Sequence, residues 1–233
     1  LARGEALGPF GLTEPGGGTD AGGTRTRAVL DGGEWVINGS KQFITNSGTD
    51  ITELIAATAV TGETDGRKEI SSFLIPSGTP GLTVEKAYNK VGWNASDTHP
   101  LTFDDVRVPE ENMLGERGRG FANFLRILDE GRIAIAAMAV GAAQGCVDAS
   151  VKYAKEREAF GRPIAAYQGM SFKIARMEAR AHTARFAYYR AAALMLAGRD
   201  FKKEAAIAKL IAGEAAMDNA RDATQVFGGY GFM

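Results

Sequence analysis

The stretch Leu12-Thr13-Glu14-Pro15-Gly16-Gly17-Gly18-Thr19-Asp20 sets a proline and three consecutive glycines among hydroxyl and carboxylate side chains. Such a loop offers free backbone N–H groups, and its glycines let the backbone approach a ligand closely. Read alone, it is equally an ordinary turn. Gly16 to Ala21 fits the G-x-G-x-x-A pattern of dinucleotide folds. It precedes strands instead of joining a strand to a helix, which speaks against that fold, and there is no Gly-Lys-Ser/Thr of a P-loop.

Other candidates are scattered. Asp129 and Arg132 lie three apart and share a helix face beside Gly131, which suits an ion pair as readily as a ligand. Arg157, followed by Phe160-Gly161-Arg162, puts guanidinium groups around a glycine turn, where an arginine can grip phosphate bidentately or simply end a helix in solvent. Gln225 to Gly231 closes a helical run in glycines, a pattern typical of a helix stop. Cys146 has no histidine near it in sequence and reads as a packed thiol. His182 lies opposite an apolar seam and His99 precedes a proline; neither has the company a catalytic histidine needs.

The elements that must position these residues fall into two halves. Thr24–Leu30, Glu34–Asn38, Ser40–Thr45, Thr52–Val60, Ile70–Pro76, Leu82–Ala87 and Leu101–Val108 are rich in β-branched and aromatic residues. Asp31-Gly32-Gly33 and Asn38-Gly39 read as hairpin turns, and connections this short favour antiparallel pairing. Beyond Gly115–Gly120 alanine, leucine and methionine take over. A first helix is expected from about Phe121, Leu125 and Leu128 to Arg157. Gly131, Gly141 and Gly145 lie inside it, each costing about 1 kcal/mol relative to Ala, so close packing or ligand approach is expected there. A second helix carries the seam Met170, Ile174, Met177, Ala181, Ala184, Tyr188, Ala191 and Met195. Gly198 is its stop and Asp200 the N-cap of a third. That helix repeats the spacing through Ala206, Leu210, Gly213, Met217, Ala220, Thr224 and Phe227. The fold class is α+β multidomain: an antiparallel β domain at 1–115, then an up-and-down helical bundle at 116–233.

Composition excludes several functions. The 27 basic and 28 acidic residues nearly cancel, which argues against nucleic acid as the partner. No apolar run approaches the roughly 18 residues of a membrane span, so no membrane insertion is expected. One cysteine and two histidines provide neither a disulfide nor a soft-metal ligand set, and no metal is expected. Without an initiating Met or a closing element, the sequence reads as a piece of a longer protein.

Together these segments resemble the acyl-CoA dehydrogenase family along the whole chain. The likeness rests on Leu12 to Gly16, Lys41-Gln42-Phe43-Ile44-Thr45-Asn46, Val91-Gly92 with Ser96-Asp97-Thr98, and Phe103 to Pro109. Gly131-Arg132, Glu156-Arg157 with Phe160-Gly161, and Gln225 to Gly231 add the helical half. The resemblance implies a middle β domain plus most of a C-terminal helical domain, with FAD as cofactor. It places Phe10, Leu12, Thr13, Phe43, Ile44 and Thr45 on the flavin. It gives Arg157, Phe160, Gln168, Gln225 and Gly229 to the pyrophosphate and adenosine end, the Arg and Gln on a neighbouring subunit's FAD. Thr19, Asp129 and Arg132 match positions that touch the CoA part of the substrate.

The implied reaction is α,β-dehydrogenation of an acyl-CoA thioester in fatty acid β-oxidation. An electron-transferring flavoprotein is the implied acceptor, a homotetramer the assembly, and bacterial cytoplasm or mitochondrial matrix the compartment. Phe43 stands where many members carry Trp, and Asn94 where an arginine is common. One branch of the family has its catalytic Glu at the position of Gly131; glycine here implies a general base C-terminal to Met233. A flavin monooxygenase or nitroalkane-oxidase-like relative and an inactive structural fragment are the alternatives.

Overall fold

β-Branched and aromatic residues alternate with polar ones through the first half of the chain, and that period turns one side of each strand inward. The computed structural model describes residues 1–233. Its first strands are β1 (Phe10–Gly11), β2 (Arg27–Asp31), β3 (Glu34–Thr45), β4 (Leu54–Thr64) and β5 (Arg67–Pro76). β6 (Leu82–Val84), β7 (Thr98–Pro109) and β8 (Met113–Leu114) complete the sheet. The order is β6-β7-β3-β2-β4-β5-β8, with β1 beside β4. Pairing is antiparallel except where β1 and β2 meet β4. One edge of β2 is taken by its hairpin with β3, so its other edge meets β4 in the direction a longer connection delivers.

The Asp31-Gly32-Gly33 signal is a true hairpin, Asp31 facing Glu34 across two glycines at φ 63° and 89°. Asn38-Gly39 is not a turn, because β3 runs straight through it. Gly39 sits at φ 147°, and a Cβ there would lie 2.6 Å from Thr26 Oγ1. The glycine thus serves a register shift against β7 between Ile37 and Gly39. The Asn38 amide is spent on Asp105, donating to its carboxylate (2.8 Å) and accepting from its N–H (2.9 Å). Inward residues Trp35, Ile37, Ile55, Phe73, Ile75 and Leu101 form the core of this half, Trp35 meeting Phe73 edge-on at 5.3 Å.

One charge lies inside that half. Lys41 is fully buried, and its three ammonium protons find Glu14 Oε1 (2.8 Å), Thr58 Oγ1 (3.0 Å) and the Leu12 carbonyl (3.3 Å). Glu14, also buried, accepts in addition from the N–H groups of Arg25 (2.7 Å) and Thr26 (3.1 Å). Burial works to raise the Glu14 pKa, but Lys41 and the hydrogen bonds from Thr26 and Arg25 outweigh it, and the carboxyl titrates below its ordinary value. For Lys41 burial wins over Glu14, and its pKa is lowered.

The second half is helical: α1 (Gly120–Glu156), α2 (Gln168–Leu196) and α3 (Lys202–Phe227), with a small hairpin of β9 (Glu158–Ala159) and β10 (Arg162–Pro163) after α1. The chain divides into two compact units, Leu1–Leu125 and Arg126–Met233. The start of α1 belongs to the first, where Phe124 stacks on Phe10 at 4.1 Å. By length and composition alone α1 could cross a membrane; here its Ile133, Ala136 and Val140 pack into the helical core.

On α2 the seam lies close to where its period predicts, with Met177, Ala181, Ala184 and Ala191 buried. On α3 it does not. Ala205, Ala208, Ala212, Ala215, Asn219 and Val226 are buried, while Leu210 and Met217 of the expected seam are 60% and 67% exposed. The small residues face the neighbouring helix, and the larger apolar ones look outward. Gly198 ends α2 at φ 66°, its N–H on Met195 O. The N-cap position of α3 is Phe201 instead of Asp200, although Asp200 still accepts from the Lys202 N–H (3.3 Å). A Cβ on Gly131, Gly141 or Gly145 would meet nothing within 4 Å, so no close packing inside the chain explains those glycines. Asn219, fully buried, donates to carbonyls of both other helices, Ala143 O (3.1 Å) and Met177 O (2.9 Å).

Three outcomes are expected. Lys41→Met strands the Glu14 charge and lowers stability by about 3–5 kcal/mol in urea unfolding, while adding Glu14→Gln costs less than the two singles summed. Because the Glu14 pKa is lowered on folding, its contribution is present above its ordinary value of 4.5 and is lost as pH falls through the lower folded value. Glu14→Gln flattens that acid limb of stability against pH. Asn219→Ala removes both interhelical bonds and lowers the unfolding midpoint by an amount equivalent to about 1–3 kcal/mol.

Candidate functional site

In the first unit, a single backbone bond assembles the candidate residues. The Gln42 N–H donates to Thr13 O (2.9 Å), and the Gln42 side chain donates to Glu14 O (3.3 Å). This lays the segment after β1 against β3 at Gln42, so Thr13 comes beside the residue that precedes Phe43, Ile44 and Thr45, while Phe10 at the start of the segment faces Phe124. The Thr13 N–H and Oγ1 and the Thr45 hydroxyl make no hydrogen bond within the chain, so they remain as donors for a ligand. Phe43 adopts φ 61° and is 57% exposed, its ring tilted against Tyr88 at 5.0 Å. Ile44 is buried, so only its backbone can serve a ligand.

Glu14 is the carboxylate one would first suspect of acid–base work here. The structure spends both its oxygens on Lys41 and on loop N–H groups. Glu14 and Gly17 then close the loop by exchanging backbone bonds at 3.0 Å. Thr19 lies beyond that closure, exposed and without a hydrogen-bond partner. A hollow of about 450 Å³ opens nearby, where β2 leaves β4, and is lined by Arg25, Arg27, Lys68 and Glu63. Lys68 is tied to Thr24 O (2.8 Å), while neither Arg25 nor Arg27 has an ion-pair partner. Sequence reading passed over this basic hollow, because its cations are spread over three strands' worth of chain.

In the second unit Arg157 and Gly229 line one hollow of about 580 Å³, together with Tyr153, Ile164, Phe227 and Tyr230. Tyr153 and Phe227 stack at 4.4 Å and form its aromatic wall, a pairing of α1 with α3 that no local pattern announces. The Arg157 guanidinium makes no ion pair or hydrogen bond in the chain, leaving it free for an anion. Gln225 lies round the corner of the same glycine turn, beside Lys173 and Asp222. Those cations are occupied: Lys173 (3.0 Å) and Arg180 both hold Asp222. Burial opposes them, yet they keep its carboxyl below the ordinary range.

Phe160 and Gly161, at φ 51° and 76°, form the two-residue turn between β9 and β10, with Phe160 96% exposed. Its ring meets Tyr167, the residue before Gln168, edge-on at 6.3 Å. Phe160 and Gln168 therefore share one end of α2, outside the hollow. Asp129 and Arg132 bond to each other, and Asp129 also faces Lys202 (3.6 Å). That is the ion pair their spacing permits; a ligand there would have to compete with it. His182 is exposed against Phe186, and Cys146 is half-buried with its thiol pKa pushed up by burial, so neither is set up as a nucleophile or base.

Both halves of the chain have counterparts in known proteins. Residues 118–233 match the acyl-CoA dehydrogenase C-terminal domain, and residues 9–106 its middle domain. The chain is 50% identical over its whole length to the probable acyl-CoA dehydrogenase YngJ of Bacillus subtilis (strain 168). It is 47% identical to the short-chain specific acyl-CoA dehydrogenase of Clostridium acetobutylicum. It spans 61% of the length of either relative. Butyryl-CoA dehydrogenase from Megasphaera elsdenii superposes with a TM-score of 0.92 at 43% identity, over 98% of this chain and 59% of that one. A chain of the structure described as the electron transferring flavoprotein of Acidaminococcus fermentans gives 0.95 at 43% identity, over 100% and 61%. With both domain models matched along nearly its full length, this chain belongs to the acyl-CoA dehydrogenase family.

Proposed function

We propose that the chain forms the flavin- and thioester-binding part of an enzyme that oxidises acyl-CoA thioesters to trans-2-enoyl-CoA. The observation that carries this is the Gln42–Thr13 bond. It merges the Phe10–Thr13 and Phe43–Thr45 segments into one surface of free donors beside an aromatic ring. Acyl-CoA dehydrogenases are generally FAD-dependent, and the residues present fit that group: an unpartnered N–H and hydroxyl at Thr13, an exposed Phe43 ring, and an unpaired Arg157 guanidinium for phosphate. FAD, when bound, supplies the hydride acceptor.

The rest falls to the chain. Thr13 and Thr45 offer hydrogen bonds to polar edges of a flat ring, while Phe43 covers a face and sheds water from it. Arg157 and the Gly229 backbone, on the second unit, would hold the pyrophosphate of a neighbouring subunit's FAD, with Gln225, Phe160 and Gln168 as further contacts. Thr19 would meet the CoA portion, and the Arg25–Arg27–Lys68 hollow beyond it suits the anionic end of the same molecule. Asp129 and Arg132 serve the substrate only if they open their mutual bond. Gly131 carries no side chain, so the base that removes the α proton has to come from elsewhere in the protein. That proton is too weakly acidic to leave unless hydrogen bonds at the thioester carbonyl stabilise the developing charge. An electron-transferring flavoprotein as acceptor, a homotetrameric assembly, and a bacterial cytoplasmic or mitochondrial matrix location belong to the same proposal.

Relatives named for short chains make butyryl-CoA the first substrate to try. Anaerobic addition to the full-length, flavin-loaded protein is expected to bleach the flavin absorption. No bleaching with any acyl chain length overturns the assignment, and rapid oxygen consumption by the reduced protein would point to a monooxygenase. Thr13→Val, which deletes one hydroxyl, is expected to weaken FAD binding by about fivefold to tenfold with the fold unchanged.

A further inference from the structure

His99 belongs to no role described so far, yet its imidazole is held at both nitrogens. Nδ1 lies 2.7 Å from Glu85 O, and Nε2 lies 3.0 Å from Asp97 Oδ2. Neither partner can donate: one is a carbonyl, and the other oxygen already accepts from the Gly48 N–H at 2.8 Å. The Nδ1–H donates to the Glu85 carbonyl, while Nε2 meets Asp97 by distance alone. The other Asp97 oxygen is buried with no partner at all.

The ring also fixes its surroundings by contact. A Cβ on Gly48 would fall 2.3 Å from Nε2, so the imidazole lies directly on the Gly48 backbone. Through Asp97 it holds the turn that follows β3, where Asn46 N–H also reaches Asp97 O (3.2 Å). Through Glu85 it holds the segment bearing Tyr88, the ring on which Phe43 leans. His99 itself pairs with Ile44 across the sheet, and Thr98 with Thr45. The segment Phe43–Thr45 is thus flanked on both sides by contacts of one imidazole. Lys90 supports the same corner from Ser96 O (2.5 Å) and Thr98 Oγ1 (2.9 Å), and the Glu85 carboxylate is turned away to Thr102 Oγ1 (2.9 Å). Asp97, Lys90 and Glu85 are the charged groups around the ring; the Asn46–Thr49 turn supplies none.

We propose that His99, set between Glu85 and Asp97, is a positioning residue that holds Phe43 and Thr45 in place for the flavin. The proposal rests on the reading that Phe43–Thr45 face the flavin. It is tested on the full-length protein stripped of flavin and titrated with FAD by fluorescence. His99→Ala, which leaves the Glu85 carbonyl without its donor, is expected to bind FAD about tenfold more weakly. His99→Asn, whose amide N–H can stand in for Nδ1–H, is expected to recover part of that loss. Gly48→Ala, which pushes the ring off its seat, should behave as His99→Ala does. Circular dichroism melting identifies any variant that fails to fold, and the remaining ones decide. Unchanged affinity in His99→Ala or in folded Gly48→Ala would overturn the proposal. If the unaltered protein binds no FAD, the flavin reading itself fails and this inference falls with it.

Discussion

A lysine ammonium with no water to turn to governs the first unit. Removing that charge from solvent costs several kcal/mol even after relaxation, and its attraction to Glu14 offsets this only if every proton finds an acceptor. The acceptors come from two segments far apart in sequence: Leu12 and Glu14 ahead of the glycine loop, and Thr58 in β4. Solvating Lys41 internally therefore forces the loop onto the sheet at one place. A hydrophobic pair of similar volume would be as stable or more so. What it would not do is specify that Leu12 O and Glu14 converge on Lys41, which fixes Thr13 between them with its own N–H and hydroxyl unused.

The same strand solves a second problem by breaking its own alternation. With a strict period of two, Lys41 pointing inward would send Phe43 inward and Ile44 outward. Phe43 instead takes a left-handed conformation, and the register against β7 shifts between Lys41 and Ile44. Gln42 and Phe43 are thereby both free of the core, while Ile44 returns to it. The bulge is how one strand supplies a buried cation, a backbone hook for Thr13 and an exposed ring within consecutive residues. A left-handed phenylalanine is costly, and it persists only because both flanks are pinned, by Lys41 on one side and the Asp97–His99 corner on the other.

Much of this was legible in the sequence, at the level where local physics decides. The helices follow from their composition and period, and the Gly32-Gly33 hairpin from glycine's tolerance of positive φ. The glycine loop was recognisable as a tight turn, which Glu14 and Gly17 close. What failed is what depends on partners distant in sequence. Asn38-Gly39 has the residues of a turn, but Asp105 and Thr26 claim them for a bulge. Lys41 looks like any polar residue in a half-exposed strand until Glu14 and Thr58 are brought to it. His99 looked inert because the carbonyl that takes its Nδ1–H belongs to Glu85, in another segment. The α3 seam was misread for a different reason: size was taken as a guide to burial, and in this bundle the small residues are the buried ones.

That inversion has a consequence for the second unit. Alanines at the interface of α2 and α3 let two backbones come close, but identical small side chains specify no register, since sliding by one turn puts alanine against alanine again. Asn219 removes the degeneracy. Its amide has to reach Met177 O on α2 and Ala143 O on α1 together, and only one axial placement of α3 allows both. Asn219 lies less than two turns before Gln225 and the glycine turn that follows. Its bond to α1 thus determines where that turn comes to rest against Tyr153 and Arg157. The hollow they line is set by a buried amide that never touches it, much as the loop in the first unit is set by a buried ammonium. In both units a polar group that must be satisfied inside the core does what apolar packing cannot, and decides where the exposed groups end up.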